Sequence, residues 1–154
     1  MKPAERSNAR LAVVQALYQM EVAGKGLHEV QAEFEAHWIG REIEGARYLP
    51  AEVGFFREVL AGVLGKQRAI DTKIDAALSG GWPLARIETV MRAILRAGAY
   101  ELLNRPDVPA SVAIKEYVDV AGAFFGSTEC GMINAVLDRL AREVRAGERA
   151  KGGS

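Results

Sequence analysis

The start of the chain sets three cations, Lys2, Arg6 and Arg10, against a single acid, Glu5, and such a group can bind phosphate. These residues directly precede an apolar periodic run, so they would form the first turns of a helix, where cations oppose the helix dipole. We therefore interpret them as candidate contacts to an anion, with a solvated helix start as the alternative. A second basic group lies near the end of the last helix, where cations favour the dipole: Arg139, Arg142, Arg145, Arg149 and Lys151.

The remaining reactive side chains do not predict an active site or a metal centre. His28 and His37 are nine residues apart on one predicted helix, which places them on opposite faces. Cys130 is the single cysteine, so an intramolecular disulfide and a multi-cysteine metal site are excluded. The segment 62–66 has glycines and a lysine, but its spacing is wrong for a nucleotide-binding loop. We therefore expect a binding protein rather than an enzyme, with no metal and no cofactor.

The composition is typical of one small cytoplasmic protein. The chain has 154 residues, enough for one domain with its own core, and its 20 Lys and Arg balance its 20 Asp and Glu. A molecule without net charge does not attract nucleic acid as a whole, so any binding charge must be local. No apolar stretch has the length of a signal peptide or of a membrane span. We expect no association with membranes.

Apolar residues recur at steps of three and four through most of the chain, which predicts an all-α fold. The expected helices run from the chain start to residue 24, then over 27–44, 50–78, 87–102 and 110–125, with a last one after the loop 126–128. A Gly-Gly-Trp-Pro hinge divides them into two small helical bundles, 1–81 and 82–147, packed as one domain. The polar segment from Arg145 onwards is predicted to fray, with a flexible tail over 148–154.

Three separated segments carry a family resemblance. They are MKPAERSNARLAVVQALYQ at the start, AILRAGAYELLNRPDVPASVAIKEYVDVAGAFFG in the second half and INAVLDRLAR near the end. In this order they resemble the NusB (N-utilization substance B) family of bacterial transcription antitermination factors. The resemblance implies an all-helical, non-enzymatic protein that binds boxA RNA together with NusE, a small-subunit ribosomal protein. It also implies a role in the antitermination complex of RNA polymerase, chiefly on ribosomal RNA operons.

The resemblance implies an RNA-binding surface built from two parts of the sequence. The basic N-terminus would contact phosphates, while the loop before the last helix would cap that helix and offer N–H groups. Met132 replaces a phenylalanine that could stack on a base, and Ser7 and Asn8 replace arginines of strongly basic relatives. We therefore expect weak RNA binding with a shallow salt dependence. The implied RNA-binding residues are Lys2, Arg6, Arg10, Ser127, Thr128 and Met132.

A surface for NusE is also implied by the resemblance. Tyr18 matches a tyrosine on the NusE-facing side, although the pattern of the first helix would also accept it in the core. Met91 stands where many relatives carry an acid that contacts NusE, and neighbouring charges are the alternative contacts. The implied NusE-binding residues are Tyr18, Glu88, Met91 and Arg92. Three signature acids are expected to hold helices together through partners such as Arg96, Lys115 or Arg139: Glu101, Glu116 and Asp138.

Two other functions stay open at the level of sequence. The first is a helical protein-interaction domain, including a homodimer, in which RNA binding has weakened; the lost arginines, Met91 and Met132 favour it. The second is an RNA-modifying enzyme without its catalytic domain here, which the polar tail after Arg145 disfavours.

Overall fold

A computed structural model describes residues 3–37, 42–43, 46–47, 53–78 and 84–145 of the chain. Nearly all of these residues belong to seven α-helices, and the all-α prediction is confirmed apart from one short hairpin. The helices are α1 Pro3–Ala23, α2 Leu27–His37, α3 Val53–Gly65, α4 Gln67–Ala77, α5 Thr89–Asn104, α6 Ala110–Gly122 and α7 Ser127–Val144. The hairpin pairs β1 Glu42–Ile43 with β2 Ala46–Arg47 in antiparallel register, and a 3₁₀ turn Leu84–Arg86 precedes α5.

Helix α5 is the centre of the fold. Ten of its 16 residues are buried, and it packs against α1, α3, α4, α6 and α7. Such a helix is apolar nearly all round because other helices enclose it. Gly98 allows α7 to approach closely, since an added Cβ would lie 3.0 Å from Cδ1 of Leu137 in α7. The predicted boundary between two bundles, at residues 81 and 82, lies outside the described residues, so that division stays a prediction.

Two of the predicted helices differ from their apolar patterns: one ends early, and the other is divided into two helices. The helix predicted over 27–44 ends at His37, and the hairpin follows. The helix predicted over 50–78 is divided at Lys66, whose backbone has φ −118° and ψ 16°. Gly65 immediately before the break lowers helix propensity. Lys66 is held in the break by its Nζ, which donates to Oδ1 of Asn104 at 2.6 Å.

Arg145 follows α7 and is buried, which corrects the prediction that the chain frays from this residue. Its guanidinium donates hydrogen bonds to four backbone carbonyl oxygens, those of Glu101 (3.0 Å), Leu102 (3.0 Å), Arg105 (2.8 Å) and Val108. These carbonyls belong to the last turn of α5 and the loop after it, where a cation favours the helix dipole. Arg145 therefore fastens the end of α7 to the end of α5. The predicted tail, 148–154, lies outside the described residues.

Within the part of the chain that the structure covers, no helix combines the length and the apolar character needed to cross a membrane.

Candidate functional site

Arg10 lies in the interior of the protein, where only 1% of the residue is exposed. Its Nε donates to Oε2 of Glu101 at 2.8 Å and its Nη2 donates to Oε1 at 2.9 Å, so the pair joins α1 to α5 through two hydrogen bonds. A guanidinium enclosed in this way does not meet solvent or a phosphate. The structure therefore corrects the prediction that Arg10 contacts RNA, because its partner in the fold is a buried carboxylate.

The Arg10–Glu101 pair belongs to a larger polar cluster between α1, α5 and α6. Tyr117 donates a short hydrogen bond to Glu101, and Ser7 donates from Oγ to Oε2 of Glu116 at 2.8 Å. Burial alone would lower the pKa of Arg10, but the hydrogen bonds and charge of Glu101 outweigh it and the pKa is raised. Burial, followed by the charge of Glu101, raises the pKa of Tyr117 well above its ordinary value. At neutral pH the cluster therefore holds a charged arginine and a protonated tyrosine.

The signature acids have different partners from those predicted. Glu101 joins helices as expected, but through Arg10 rather than Arg96. Glu116 also faces Arg10, at 3.7 Å from Nη1. Asp138 pairs at 2.9 Å with Arg142 of its own helix, an ion pair that the spacing of the two residues also indicates.

Arg6 remains where a phosphate can reach it. The residue is partly exposed, and its Cζ lies 4.7 Å from the centroid of the Phe55 ring. Arg10 and Arg105 approach the same ring at 5.3 Å and 5.2 Å. Lys2 lies outside the described residues. Of the cations predicted for the N-terminal arm, Arg6 is thus the one that the structure places at the surface within its described part.

An apolar groove of about 630 Å³ lies between α1, α2, the start of α5 and the end of α6. Tyr18 and Phe124 expose 39% and 43% of their surface there. Glu33 is the charged residue of the lining, and its carboxylate accepts hydrogen bonds from Nζ of Lys25 at 2.9 Å. The groove is lined by Val14, Gln15, Tyr18, Gln19, Glu33, Phe34, Val90 and Phe124.

The sequence allowed Tyr18 to lie either in the core or on a partner surface, and the structure places it in this groove. Phe124 was not predicted, because it follows the last turn of α6 and helical periodicity does not apply there. The signal in the sequence that could have indicated Phe124 is the pair of adjacent aromatic residues, Phe124 and Phe125. In the structure their ring centroids are 6.4 Å apart. Phe125 packs against the core while Phe124 is exposed. Two aromatic residues in succession after a helix end often divide in this way, since only one can turn inward.

The other residues predicted to bind NusE hold α5 in place. Glu88 is the N-cap of α5, and its carboxylate accepts hydrogen bonds from two backbone N–H groups of the first turn. Met91 is only 7% exposed and belongs to the core, which corrects its predicted place on a partner surface. Arg92 donates from Nη1 to the carbonyl oxygen of Ile87 at 2.7 Å and forms an ion pair with Glu21 of α1. These contacts position the first turn of α5, beside the groove.

The predicted capping role of Ser127 and Thr128 is wrong. Gly126 is the N-cap of α7 and no side chain caps the helix, so these two exposed residues already belong to its first turn. Their backbone N–H groups have no intrahelical acceptors, as in any first turn, and Glu129 adds a negative charge beside them. Met132 is half-buried, one turn further along α7, and lines a second groove with Arg139.

The structure separates the predicted RNA-binding residues into two places. Arg10 meets Glu101 in the last turns of α5, so Arg6 lies at that end of the molecule. Phe124 shares the groove with the first turn of α5, and Ser127 follows it within about 11 Å of chain. The 16 residues of α5 span about 24 Å between these ends. The start of α7 therefore lies near the apolar groove rather than near Arg6.

Reactive side chains are dispersed through the described residues. No three His, Cys, Asp or Glu side chains of this part of the chain are grouped as metal ligands would be. Cys130 is a half-buried free thiol in α7, and His28 is exposed on α2.

Comparisons with known proteins place these features in a family. A family model described as the NusB family matches residues 7–142. A transcription antitermination protein NusB of Nitrobacter hamburgensis is 60% identical over 150 residues, which cover 97% of this chain and 94% of the relative. The solved structure of T. maritima NusB has a TM-score of 0.78 at 29% identity, covering 95% of this chain and 96% of that one.

A further solved structure contains the antitermination factors NusB and NusE in complex with dsRNA. Its similar chain has a TM-score of 0.72 and covers 92% of this chain and 99% of that one, at 20% identity. At this identity the similarity concerns the fold alone.

Proposed function

Because the chain belongs to the NusB family, we propose that it is an RNA-binding transcription antitermination factor that binds boxA RNA of ribosomal RNA operons together with NusE. The family match over residues 7–142 is the observation that carries this proposal. The name of the 60% identical relative supports the role in antitermination. The similar structure that holds NusB, NusE and dsRNA supports the two partners. Through them the chain would join the antitermination complex of RNA polymerase.

The apolar groove is the surface of the described residues that best fits NusE. Tyr18 and Phe124 expose aromatic rings in it, and such rings commonly supply much of the binding free energy of an interface. Glu33 offers a carboxylate to a cationic side chain of the partner, in exchange for its partly exposed bond to Lys25. Glu88 and Arg92 would act indirectly, because they hold the first turn of α5, which supplies Val90 to the groove.

RNA would meet the chain at two places. Arg6 supplies a guanidinium for phosphate at one end of α5, and phosphate contacts of this kind position an RNA without reading its sequence. At the other end, Ser127 and Thr128 offer hydroxyl groups and first-turn N–H groups, and Met132 offers an apolar surface. These groups lie near the proposed NusE groove. An RNA strand held there would be able to contact both proteins, which would explain why NusE is needed for selectivity.

A titration of labelled RNA tests this proposal. A boxA RNA and a scrambled RNA of equal length are titrated with the chain, with and without NusE, at several salt concentrations. We expect tighter binding of boxA RNA, a gain in affinity when NusE is present, and a shallow salt dependence. Arg6→Ala should reduce the slope of log affinity against log salt by about one. If neither condition gives salt-sensitive binding above that of the scrambled RNA, the proposed function is wrong.

A second candidate function is a protein-interaction domain, including a homodimer, with weakened RNA binding. The burial of Arg10 favours it, because one of the predicted arm cations is unavailable to phosphate. In that case the RNA titration would stay flat, while sedimentation would show self-association that Tyr18→Asp abolishes.

A further inference from the structure

Phe55, near the start of α3, lies among three guanidinium groups. The Cζ atoms of Arg6, Arg105 and Arg10 are 4.7, 5.2 and 5.3 Å from the centroid of its ring. The ring is 2% exposed, so these cations and the core enclose it. All three distances are within the range of a cation–π interaction.

Carboxylates hold Arg10 and Arg105 by paired hydrogen bonds. Arg10 donates twice to Glu101 in the interior. Arg105 donates from Nε and Nη2 to the two oxygens of Asp107, each at 2.9 Å. These hydrogen bonds, with a smaller effect from the charge of Arg6, lower the pKa of Asp107 to about 2. Arg6 lies near the start of α1 and is partly exposed, and it is the arginine for which phosphate contact is proposed above.

Stacking and phosphate binding use different parts of a guanidinium. The ring attracts the flat face, whereas the N–H donors lie in the plane and point outward, in the fork that matches phosphate. A side chain that is already held over a ring also loses less conformational freedom when its ligand binds. We propose that Phe55 is a positioning residue for RNA binding, which holds Arg6 in the orientation that receives phosphate. The proposal rests on the RNA-binding function proposed above.

Phe56 provides a matched control for the structural effect of losing a ring. It is the next residue of α3, is fully buried, and stacks on Phe34 with centroids 5.8 Å apart. Phe55→Leu and Phe56→Leu each replace a core ring with an aliphatic side chain, but Phe55 is the ring beneath the Arg6 guanidinium. A loss of RNA affinity that arises from weakened packing would appear in both variants. A loss that arises from positioning would appear in Phe55→Leu alone.

The test is a double-mutant cycle on the affinity for boxA RNA, measured with NusE present. We expect Phe55→Leu to lower the affinity by about two- to fivefold and to make its salt dependence shallower. In an Arg6→Ala background the same substitution should have no further effect. Phe55→Tyr, which keeps the ring, should retain the affinity, and Phe56→Leu should lower the melting temperature without changing the affinity.

The proposal is overturned if Phe55→Leu keeps full RNA affinity while Arg6→Ala loses it, or if the loss from Phe55→Leu persists in the Arg6→Ala background. If the unsubstituted protein does not bind RNA, both this proposal and the proposed function are wrong. If Phe55→Leu does not fold, the proposal can still be tested by a measurement on the unsubstituted protein. The side-chain proton resonances of Arg6 should show an upfield ring-current shift that persists in the RNA complex, and loss of that shift on RNA binding would overturn the proposal.

Discussion

Arg6 and Arg10 are about one turn apart on α1, yet their surroundings differ completely. Arg6 is partly exposed beside Phe55. Arg10 is buried, and its guanidinium donates hydrogen bonds to both carboxylate oxygens of Glu101. Removing one partner of a buried pair leaves the other charge in the interior without compensation, and that is more costly than the pair itself. Arg10 therefore stabilises the fold, whereas Arg6 lies where a phosphate can reach it.

Arg10→Met should lower the free energy of unfolding by about 3–5 kcal/mol, because it leaves the Glu101 carboxylate buried and unpaired. The additional substitution Glu101→Leu should recover part of this loss. Urea unfolding followed by circular dichroism measures both changes, and Arg6→Ala is the control that should stay within about 1 kcal/mol of the unsubstituted protein. A cost below about 1 kcal/mol for Arg10→Met would mean that the guanidinium is not buried in solution.

Tyr117 should make the stability of the protein sensitive to alkaline pH. Its pKa is raised in the folded state, first by burial and then by Glu101, so its contribution to stability is complete below the unfolded pKa of about 10. That contribution is lost as the pH rises towards the raised folded value. Tyrosinate absorbance should therefore show a step at high pH that coincides with unfolding, and Tyr117→Phe should remove that step. A Tyr117 that ionises near pH 10 in the folded protein would contradict this account.

At the scale of elements, the ends of α5 are held by residues from elsewhere in the chain. Its N-terminus is capped by Glu88 and braced by Arg92 against α1. Its C-terminus receives Arg145, whose four hydrogen bonds reach the last turn and the following loop. A central helix fixed at both ends keeps the groove and the Arg6 surface at a constant separation.

Arg145→Ala should lower the free energy of unfolding by on the order of 3 kcal/mol, since several buried carbonyl groups lose a charged donor. Arg145→Lys keeps the charge but lacks the planar fork, and it should recover only part of the loss. Hydrogen exchange should speed up first in the last turn of α5 and in the 105–108 loop. Unchanged stability and exchange in Arg145→Ala would show that this residue does not fasten α7 to α5.

Helical periodicity predicted most of these elements, because apolar residues at steps of three and four mark the face that enters the core. It missed the break at Lys66, since Val63 of α3 and Ile70 of α4 are seven residues apart and stay on the same face across the kink. The Arg10–Glu101 pair joins positions 91 residues apart, so no local pattern of charge could predict it. Cations oppose the dipole at an exposed helix start, but Arg10 is buried against Glu101 and needs no external anion, while phosphate contact by Arg6 stays a proposal.

At the scale of the whole molecule, the chain has no net charge and two separated candidate surfaces. A neutral protein gains little long-range attraction for RNA, so the cations that act are few and local. Arg6 lies towards one end of α5 and the groove towards the other, and Tyr18 is separated from Arg6 by about 18 Å along α1. RNA affinity would then depend on NusE bound at the groove as well as on direct contacts. Substitutions at Tyr18 and at Arg6 therefore separate the contribution of NusE from that of the direct contacts.

The most direct test of this account is the affinity of Tyr18→Asp for boxA RNA, measured with and without NusE. A charge at this exposed position of the groove should prevent NusE from binding, so the gain in RNA affinity that NusE gives should disappear. Without NusE the variant should bind RNA as the unsubstituted protein does. Val112→Asp is the matched control, because Val112 is similarly exposed, at 43% against 39% for Tyr18, but lies outside the groove lining. If Tyr18→Asp keeps the full gain from NusE, or loses RNA affinity when NusE is absent, the account is contradicted.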